Sequence, residues 1–257
     1  MPDSIIVERG AVTRVRLNRP QVRNALDQPT IAALAETFHA IADEENVRAV
    51  LLSGEGKAFC GGADIGYMRA SLDWGHKENE RDALALSDMF RAIDDCPAPV
   101  LAIVHGACLG GGIGLIAVCD IVAAADDALF GFTEAKLGIV PAVISPFVVR
   151  KIGQSHARAL FPTAERFGAE RALRIGLIHA IAPLAGLEGA AQKIVDELSS
   201  SGPQAARVAK KIARTVGSLP PDDARTWTAA RIADRRASGE GQEGLRAFLE
   251  KRKPTWR

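Results

Sequence analysis

Two glycine-rich loops and one acid hold the residue types able to do chemistry. The stretch His105–Leu115, HGACLGGGIGL, places Gly110, Gly111, Gly112 and Gly114 directly after the apolar run Val100–Val104. GEGKAFCGGAD, Gly54–Asp64, repeats the theme earlier in the chain. In each, small residues open a helical stretch, so free N–H groups and the positive end of a helix dipole point outward at one spot. Two such donors meeting on a single oxygen would form an oxyanion hole for an enolate or a tetrahedral intermediate, where losing one donor typically costs about 100- to 1000-fold in rate. Glu134, in FTEAKLG, is an acid able to manage protons beside such a site.

Two other readings of the second loop stay open on the residues alone. GIGLIA, Gly112–Ala117, fits the G-x-G-x-x-A dinucleotide fingerprint, with Glu134 about twenty residues on as a ribose-binding acid. Against it, a loop separates the apolar strand from Gly112, and no adjoining nucleotide-binding half is visible. The glycines could also serve only to let a helix pack closely. Of the remaining polar residues, His105 reads as a strand-end histidine bonded to backbone, Asp120 as a cap or a buried pair, and Asp64 as the cap of the helix that Ala63 opens. His156 and His179 lack adjacent partners and read as structural.

The elements that must position these residues follow from pattern. Ser4–Val7 and Val12–Leu17 are β-rich runs around Arg9-Gly10, as in a hairpin. Asp27 followed by Pro29 starts a helix whose Ile31, Leu34, Ala35, Phe38 and Ile41 keep helical spacing. Val47–Leu52 is a buried strand, a helix begins near Asp64, and the polar stretch 71–81 is exposed. Ala83–Ile93 is a helix stopped by Cys96-Pro97-Ala98-Pro99, Val100–Val104 a strand, then come a helix through Val118 and a strand over Ile121–Ala125. The order strand, glycine loop, helix, strand occurs twice, which makes an α/β protein of repeated units. From Gly186 the pattern is helical only. Leu245, Phe248 and Leu249 lie at amphipathic spacing in the last helix and need a partner. The reading divides the chain into a core over 1–195 and a helical subdomain over 196–257.

Composition limits the function classes. With 257 residues, 47% hydrophobic and 25% charged, the chain can bury a full core. Lys and Arg, 32 together, balance 31 Asp and Glu, so no overall positive field gathers nucleic acid or an anionic membrane. MPDSIIVERG lacks the features of a signal peptide, and no window has the apolar length of a membrane span, so cytoplasmic residence is expected. The four cysteines, Cys60, Cys96, Cys108 and Cys119, show no C-x-x-C spacing and read as reduced structural thiols rather than a metal site, Cys60 being notable beside the first glycine loop.

LNRPQVRNALD, GKAFCGGADI, GACLGGGIGLIAVCDI and TEAKLGIVPAVISPFVVRKIG, in this order and spacing, resemble the enoyl-CoA hydratase/isomerase (crotonase) family, and EGQEGLRAFLEKRKPTW resembles its end. The resemblance implies an α/β spiral of ββα repeats with a helical C-terminal part that forms homotrimers, often paired into hexamers. It implies an acyl-CoA substrate, coenzyme A being part of that substrate, with no metal or redox cofactor. Ala63 matches the first oxyanion donor and Gly111 the second, both through backbone N–H, while Gly62 stands where alanine is commoner. Lys57, Ala58, Phe59, Gly61, Gly62, Asp64 and Ile65 would border the adenine and pantetheine, joined by Val22 and Arg23. Lys251 and Lys253 would reach an adjacent subunit's CoA or complement the dipole of the last helix. Tyr67 and Met68 would be acyl-pocket walls or core.

Hydratases of the family use two glutamates. The second matches Glu134, but the first falls on Gly114. The run LGIVPAVISPFVVRKIG further resembles the bacterial methylglutaconyl-CoA hydratases, in which Gly114, beside Gly110 in the substrate site, is expected to leave room for a branched acyl group. Isomerisation of 3-enoyl to 2-enoyl-CoA, or CoA binding without chemistry, are the alternatives.

Overall fold

The computed structural model describes residues 3–256. β1 (Ile5–Glu8) and β2 (Val12–Leu17) form the expected hairpin, and α1 (Gln28–Ala42) begins where Asp27 accepts from the Thr30 N–H at 3.0 Å. β3 (Ala49–Gly54) lies two residues later than the pattern places it, because it stays paired with β2 up to Leu17 opposite Gly54. α2 (Ile65–Ala70) follows the first glycine loop. α3 (His76–Asp94) starts seven residues before the predicted Ala83: Glu78 caps the Gly75 N–H at 2.7 Å, and this polar first part is helical though solvent-facing. β4 (Val100–Val104), β5 (Ala107–Leu109), α4 (Gly111–Ala117), β6 (Ile121–Ala125) and β7 (Leu129–Gly131) complete the central part.

α5 (Ser145–Thr163), β8 (Arg166–Gly168), α6 (Ala169–Arg174) and β9 (Ala180–Ala182) lead to the helical end, α7 (Leu187–Ser200), α8 (Pro203–Thr215), α9 (Pro221–Ala237) and α10 (Gly239–Leu249). One sheet of six strands has the order β1-β2-β3-β4-β6-β9, antiparallel only at β1–β2. A second, of order β5-β7-β8, is absent from the sequence reading, since its strands are three residues each and show no period. Between helices and sheets lies one apolar core that includes the fully buried Phe38, Phe59, Phe90, Phe130 and Phe132. The architecture is α/β with a helical C-terminal region, as the resemblance implies.

Position 195 lies inside α7, whose Leu187, Ala191 and Val195 are buried against the large sheet; the first break beyond it is at Ser201–Gly202. α8 has no buried residue and is docked by cations instead. Arg207 donates to the carbonyls of Glu44 (2.6 Å) and Val47 (2.8 Å), Lys210 meets Asp120 at 2.6 Å, and Arg214 meets Asp94 at 2.8 Å. Among the described residues no helix is long and apolar enough to cross a membrane.

Candidate active site

The two glycine loops are zipped together before they diverge. Phe59 N–H donates to the His105 carbonyl (2.8 Å), Cys60 N–H to Ala107 (3.0 Å) and Leu109 N–H to Cys60 (3.0 Å), so the segments leave β3 and β4 side by side. Their continuations stay in contact because glycine permits it. Gly62 has φ 102° and Gly110 φ 49°, and a Cβ on Gly62 would stand 3.3 Å from the Leu109 carbonyl oxygen. Ala63 and Gly111 then open onto one cavity of about 170 Å³. Neither N–H donates to any other group among the described residues.

The same pairing brings in the acid. β7 lies parallel to β5 with Gly131 opposite Leu109, and Gly110 N–H donates to the Gly131 carbonyl at 3.0 Å. Three residues after Gly131, Glu134 begins a 3-10 turn and its carboxylate lines the cavity. A Cβ on Gly110 would be 3.3 Å from Glu134 Oε1. Oε2 is buried with no hydrogen-bond partner among the described residues. Burial pushes the Glu134 carboxyl above its ordinary value, against a smaller opposing effect of its own backbone N–H. The neutral and charged forms are thereby brought closer in free energy near neutral pH.

Polar residues that the sequence reading left without a role hold the first loop. Arg19 donates to the Ala25 carbonyl at 2.5 Å and bridges Asp27 (2.9 Å) and Asp64 (3.1 Å), the caps of α1 and α2. Asn24, buried, accepts from Arg19 N–H at 2.8 Å and donates to the carbonyls of Glu55 and Ala58, each at 2.8 Å. Both sit in the quoted run LNRPQVRNALD, yet their partners lie up to 45 residues away, which no local pattern discloses.

The expected coenzyme rim divides in two. Val22, Arg23, Lys57 and Ile65 are exposed beside the loop, and Gly61 is tied to Arg23 by a 2.8 Å bond from its N–H to the Arg23 carbonyl. Ala58 and Phe59, by contrast, are buried, with the Phe59 N–H spent on the His105 carbonyl and the Ala58 carbonyl on Asn24, so neither offers a surface to the coenzyme. Asp64 is committed to Arg19 and to the N–H groups of Gly66 and Tyr67. Lys251 and Lys253 are exposed beyond α10.

Gly114 corrects an expectation. It is buried, and a Cβ there would lie 2.5 Å from both Ile144 Cγ2 and Phe90 Cζ. The volume that a glutamate would need is filled by these side chains, so Gly114 leaves no room for an acyl branch. The walls that sequence reasoning missed are Leu26, Leu86 and the segment Ile139–Ile144, which with Tyr67 make the cavity apolar apart from Glu134 and the phenol.

The other polar residues fall where the sequence put them. His105 Nε2 meets the Gly56 carbonyl oxygen at 2.9 Å, His179 Nδ1 accepts from Val122 N–H at 2.9 Å, and Asp120 pairs with Lys210 while accepting from Val100 N–H at 2.7 Å. All four cysteines are free and buried, and burial pushes the Cys60 thiol up to about 12.

Comparison with known proteins identifies the family. The family description enoyl-CoA hydratase/isomerase matches residues 8–257. A Thermus thermophilus protein carrying a provisional enoyl-CoA hydratase name is 34% identical over 248 residues, covering 96% of this chain and 98% of that one. The crystal structure of an enoyl-CoA hydratase from Shewanella pealeana superposes with a TM-score of 0.93 at 37% identity, covering 98% of this chain and 96% of that one. Pseudomonas aeruginosa AtuE gives 0.96 at 36% identity, with 98% and 99% covered. The chain belongs to the enoyl-CoA hydratase/isomerase family.

Proposed function

We propose that this protein adds water across the double bond of a 2-enoyl-CoA thioester, with Glu134 as its only acid–base side chain and the Ala63 and Gly111 amides holding the thioester oxygen. The observation that carries the reading is that Ala63 and Gly111, whose N–H groups have no partner among the described residues, line a single cavity with Glu134, whose Oε2 is likewise unpaired among them. As its oxygen bonds to C3, water gives a proton to the Glu134 carboxylate. The electron pair of the double bond moves through C2 onto the thioester oxygen, where the two amides stabilise the enolate. Collapse of the enolate then takes the proton from the Glu134 carboxyl to C2, so one side chain both receives and returns it. The reaction so written uses no metal or redox cofactor.

The apolar lining supports an uncharged, short acyl group as the first substrate class. The narrower reading, interconversion of 3-methylglutaconyl-CoA and 3-hydroxy-3-methylglutaryl-CoA, draws on the segment Leu137–Gly153, which supplies the wall Ile139–Ile144. It lacks a cation, since none of the lining side chains among the described residues is basic and a distal carboxylate would lie against an apolar wall near Glu134. Isomerisation of a 3-enoyl-CoA uses the same groups, Glu134 carrying a proton from C2 to C4. Cytoplasmic residence and assembly into homotrimers or hexamers belong to the same proposal; exposed Leu245 (50%), Phe248 (82%) and Leu249 (77%) on and around α10 support assembly.

The test supplies crotonyl-CoA, 3-methylglutaconyl-CoA and a 3-enoyl-CoA to the purified protein and to Glu134→Gln. Hydration of crotonyl-CoA that is lost in Glu134→Gln supports the proposal. Turnover of the 3-enoyl-CoA alone would move the assignment to an isomerase, faster turnover of methylglutaconyl-CoA to the narrower substrate, and CoA binding without turnover of any of them to a non-catalytic protein.

A further inference from the structure

We propose that Tyr67, fixed by Asp82 and Gln28, is the end wall of the acyl cavity and sets the upper limit of acyl-chain length; this rests on the hydratase reading above. Two cavities lie on the two sides of Ile31, one lined by Tyr67 and the other by the residues that hold it. The first, with Glu134, holds about 170 Å³. The second, of about 650 Å³, runs between α1 and α3 over an apolar floor of Ile31, Ala32, Ala35, Trp74 and Ala85. Ile31 lines both. Tyr67 lines the first, while its hydrogen-bond partner Asp82 and its ring partner Trp74 line the second.

Three helices hold the phenol in place between them. The Tyr67 hydroxyl donates to Asp82 Oδ2 on α3, and Gln28 Nε2 on α1 donates to Asp82 Oδ1 at 3.1 Å. The Tyr67 ring meets Trp74 edge-on, with centroids 5.7 Å apart and planes at 66°. Its own N–H is fixed at 3.2 Å by the Asp64 cap. With the α2 backbone anchored at Asp64, the side chain cannot swing aside without losing its hydrogen bond to Asp82 and its ring contact with Trp74.

Size makes this wall consequential. Ligand pockets usually hold about 300–1,000 Å³. The Glu134 cavity falls below that range and suits a short acyl group, whereas the two cavities joined would fall within it. Glu78, Asp82 and Asp88 outnumber Arg81 around the second cavity, so an uncharged chain is the tail it would admit.

The experiment measures kcat/KM for 2-enoyl-CoA substrates of four, six, eight and ten carbons with wild type, Tyr67→Ala, Tyr67→Leu, Tyr67→Phe and Asp82→Asn. Wild type is expected to favour the four- and six-carbon chains. Each methylene withdrawn from water is worth about fourfold in binding. Tyr67→Ala is therefore expected to raise the ratio of ten- to four-carbon kcat/KM by at least about tenfold, mostly through KM, with Tyr67→Leu in the same direction should the alanine variant fail to fold. Tyr67→Phe and Asp82→Asn, which free the ring but keep it, are expected to give smaller rises. An unchanged ratio in a Tyr67 variant that still hydrates the four-carbon substrate overturns the proposal, as does a wild type that takes ten carbons as well as four. If wild type hydrates no chain, the hydratase reading itself fails. The wall is then judged by the relative affinities of butanoyl-CoA and decanoyl-CoA, where the same change in ratio is expected and its absence is fatal.

Discussion

Ala63 precedes a helix, α2, none of whose residues is buried, whereas Gly111 opens α4, in which every residue from Gly112 to Ala117 is buried. The two residues line one cavity, yet their loops are held by different forces. Polar side chains secure the first: Arg19 bridges two helix caps, and Asn24 ties the chain reversal to Glu55 and Ala58. Close packing secures the second. A Cβ on Gly112 would stand 2.8 Å from the Cys60 carbonyl oxygen, and one on Gly114 would meet Phe90 and Ile144. A loop at the rim of a ligand site can thus be aimed by charged hydrogen bonds, which tolerate nearby solvent, while one inside the core is aimed by the absence of side chains.

The substitution with the largest expected effect removes the group on which both loops converge. Glu134→Gln is expected to lower the hydration rate by about 100- to 10,000-fold, the usual worth of a positioned acid–base group, while CoA thioester binding persists. In the packed loop, Gly112→Ala is expected to cost about 1–3 kcal/mol through overpacking, seen as a lower Tm. Gly114→Glu, which would install the second glutamate, is expected to cost more and to restore no activity, since it forces a carboxylate into an apolar space already filled. A soluble, faster Gly114→Glu enzyme would break the contrast between the loops.

In the polar loop, Arg19→Ala is expected to cost about 2 kcal/mol of stability from hydrogen bonds to charged groups and to lower kcat/KM by about 10- to 100-fold as α2 and the Ala63 amide shift. A change in Tm with no change in kcat/KM would detach Arg19 from the aiming of that amide. The pH dependence is a smaller effect with a definite sign. Burial raises the Glu134 carboxyl, and hydration needs its carboxylate, so the acid limb of kcat/KM is expected above the ordinary carboxylate range. Because the folded state binds that proton more tightly than the unfolded chain, Glu134 stabilises the fold relatively at acid pH and loses this contribution as pH rises through its raised value. Glu134→Gln is accordingly expected to raise Tm by a few degrees near pH 8 and by less near pH 4, measured by calorimetry. Least of all, iodoacetamide is expected to leave activity unchanged, since Cys60 beside the loop is buried and its thiol is held at about 12.

The sequence showed most of what is periodic or capped. α1 behind its Asp27 cap, the strands β4 and β6, and α2 behind Asp64 stand where the pattern puts them. Ala63, Gly111 and Glu134 share one cavity as the motifs imply. What stayed hidden depends on contacts between distant segments. β5, β7 and β8 are too short for a period, yet they bring Glu134 to Gly110. The helical residues His76–Asp82 carry no apolar spacing. The filling of space at Gly114 depends on Phe90 from α3 and Ile144 from the start of α5, a meeting only the packed fold reveals.

The central claim, that the Ala63 and Gly111 amides together grip the thioester oxygen, is tested most directly by infrared difference spectroscopy of carbonyl-labelled crotonyl-CoA bound to Glu134→Gln. The account expects the thioester carbonyl stretch to move to lower frequency than in free crotonyl-CoA, as two N–H donors polarise the bond. A bound ligand whose carbonyl stretch matches that of the free thioester would contradict it.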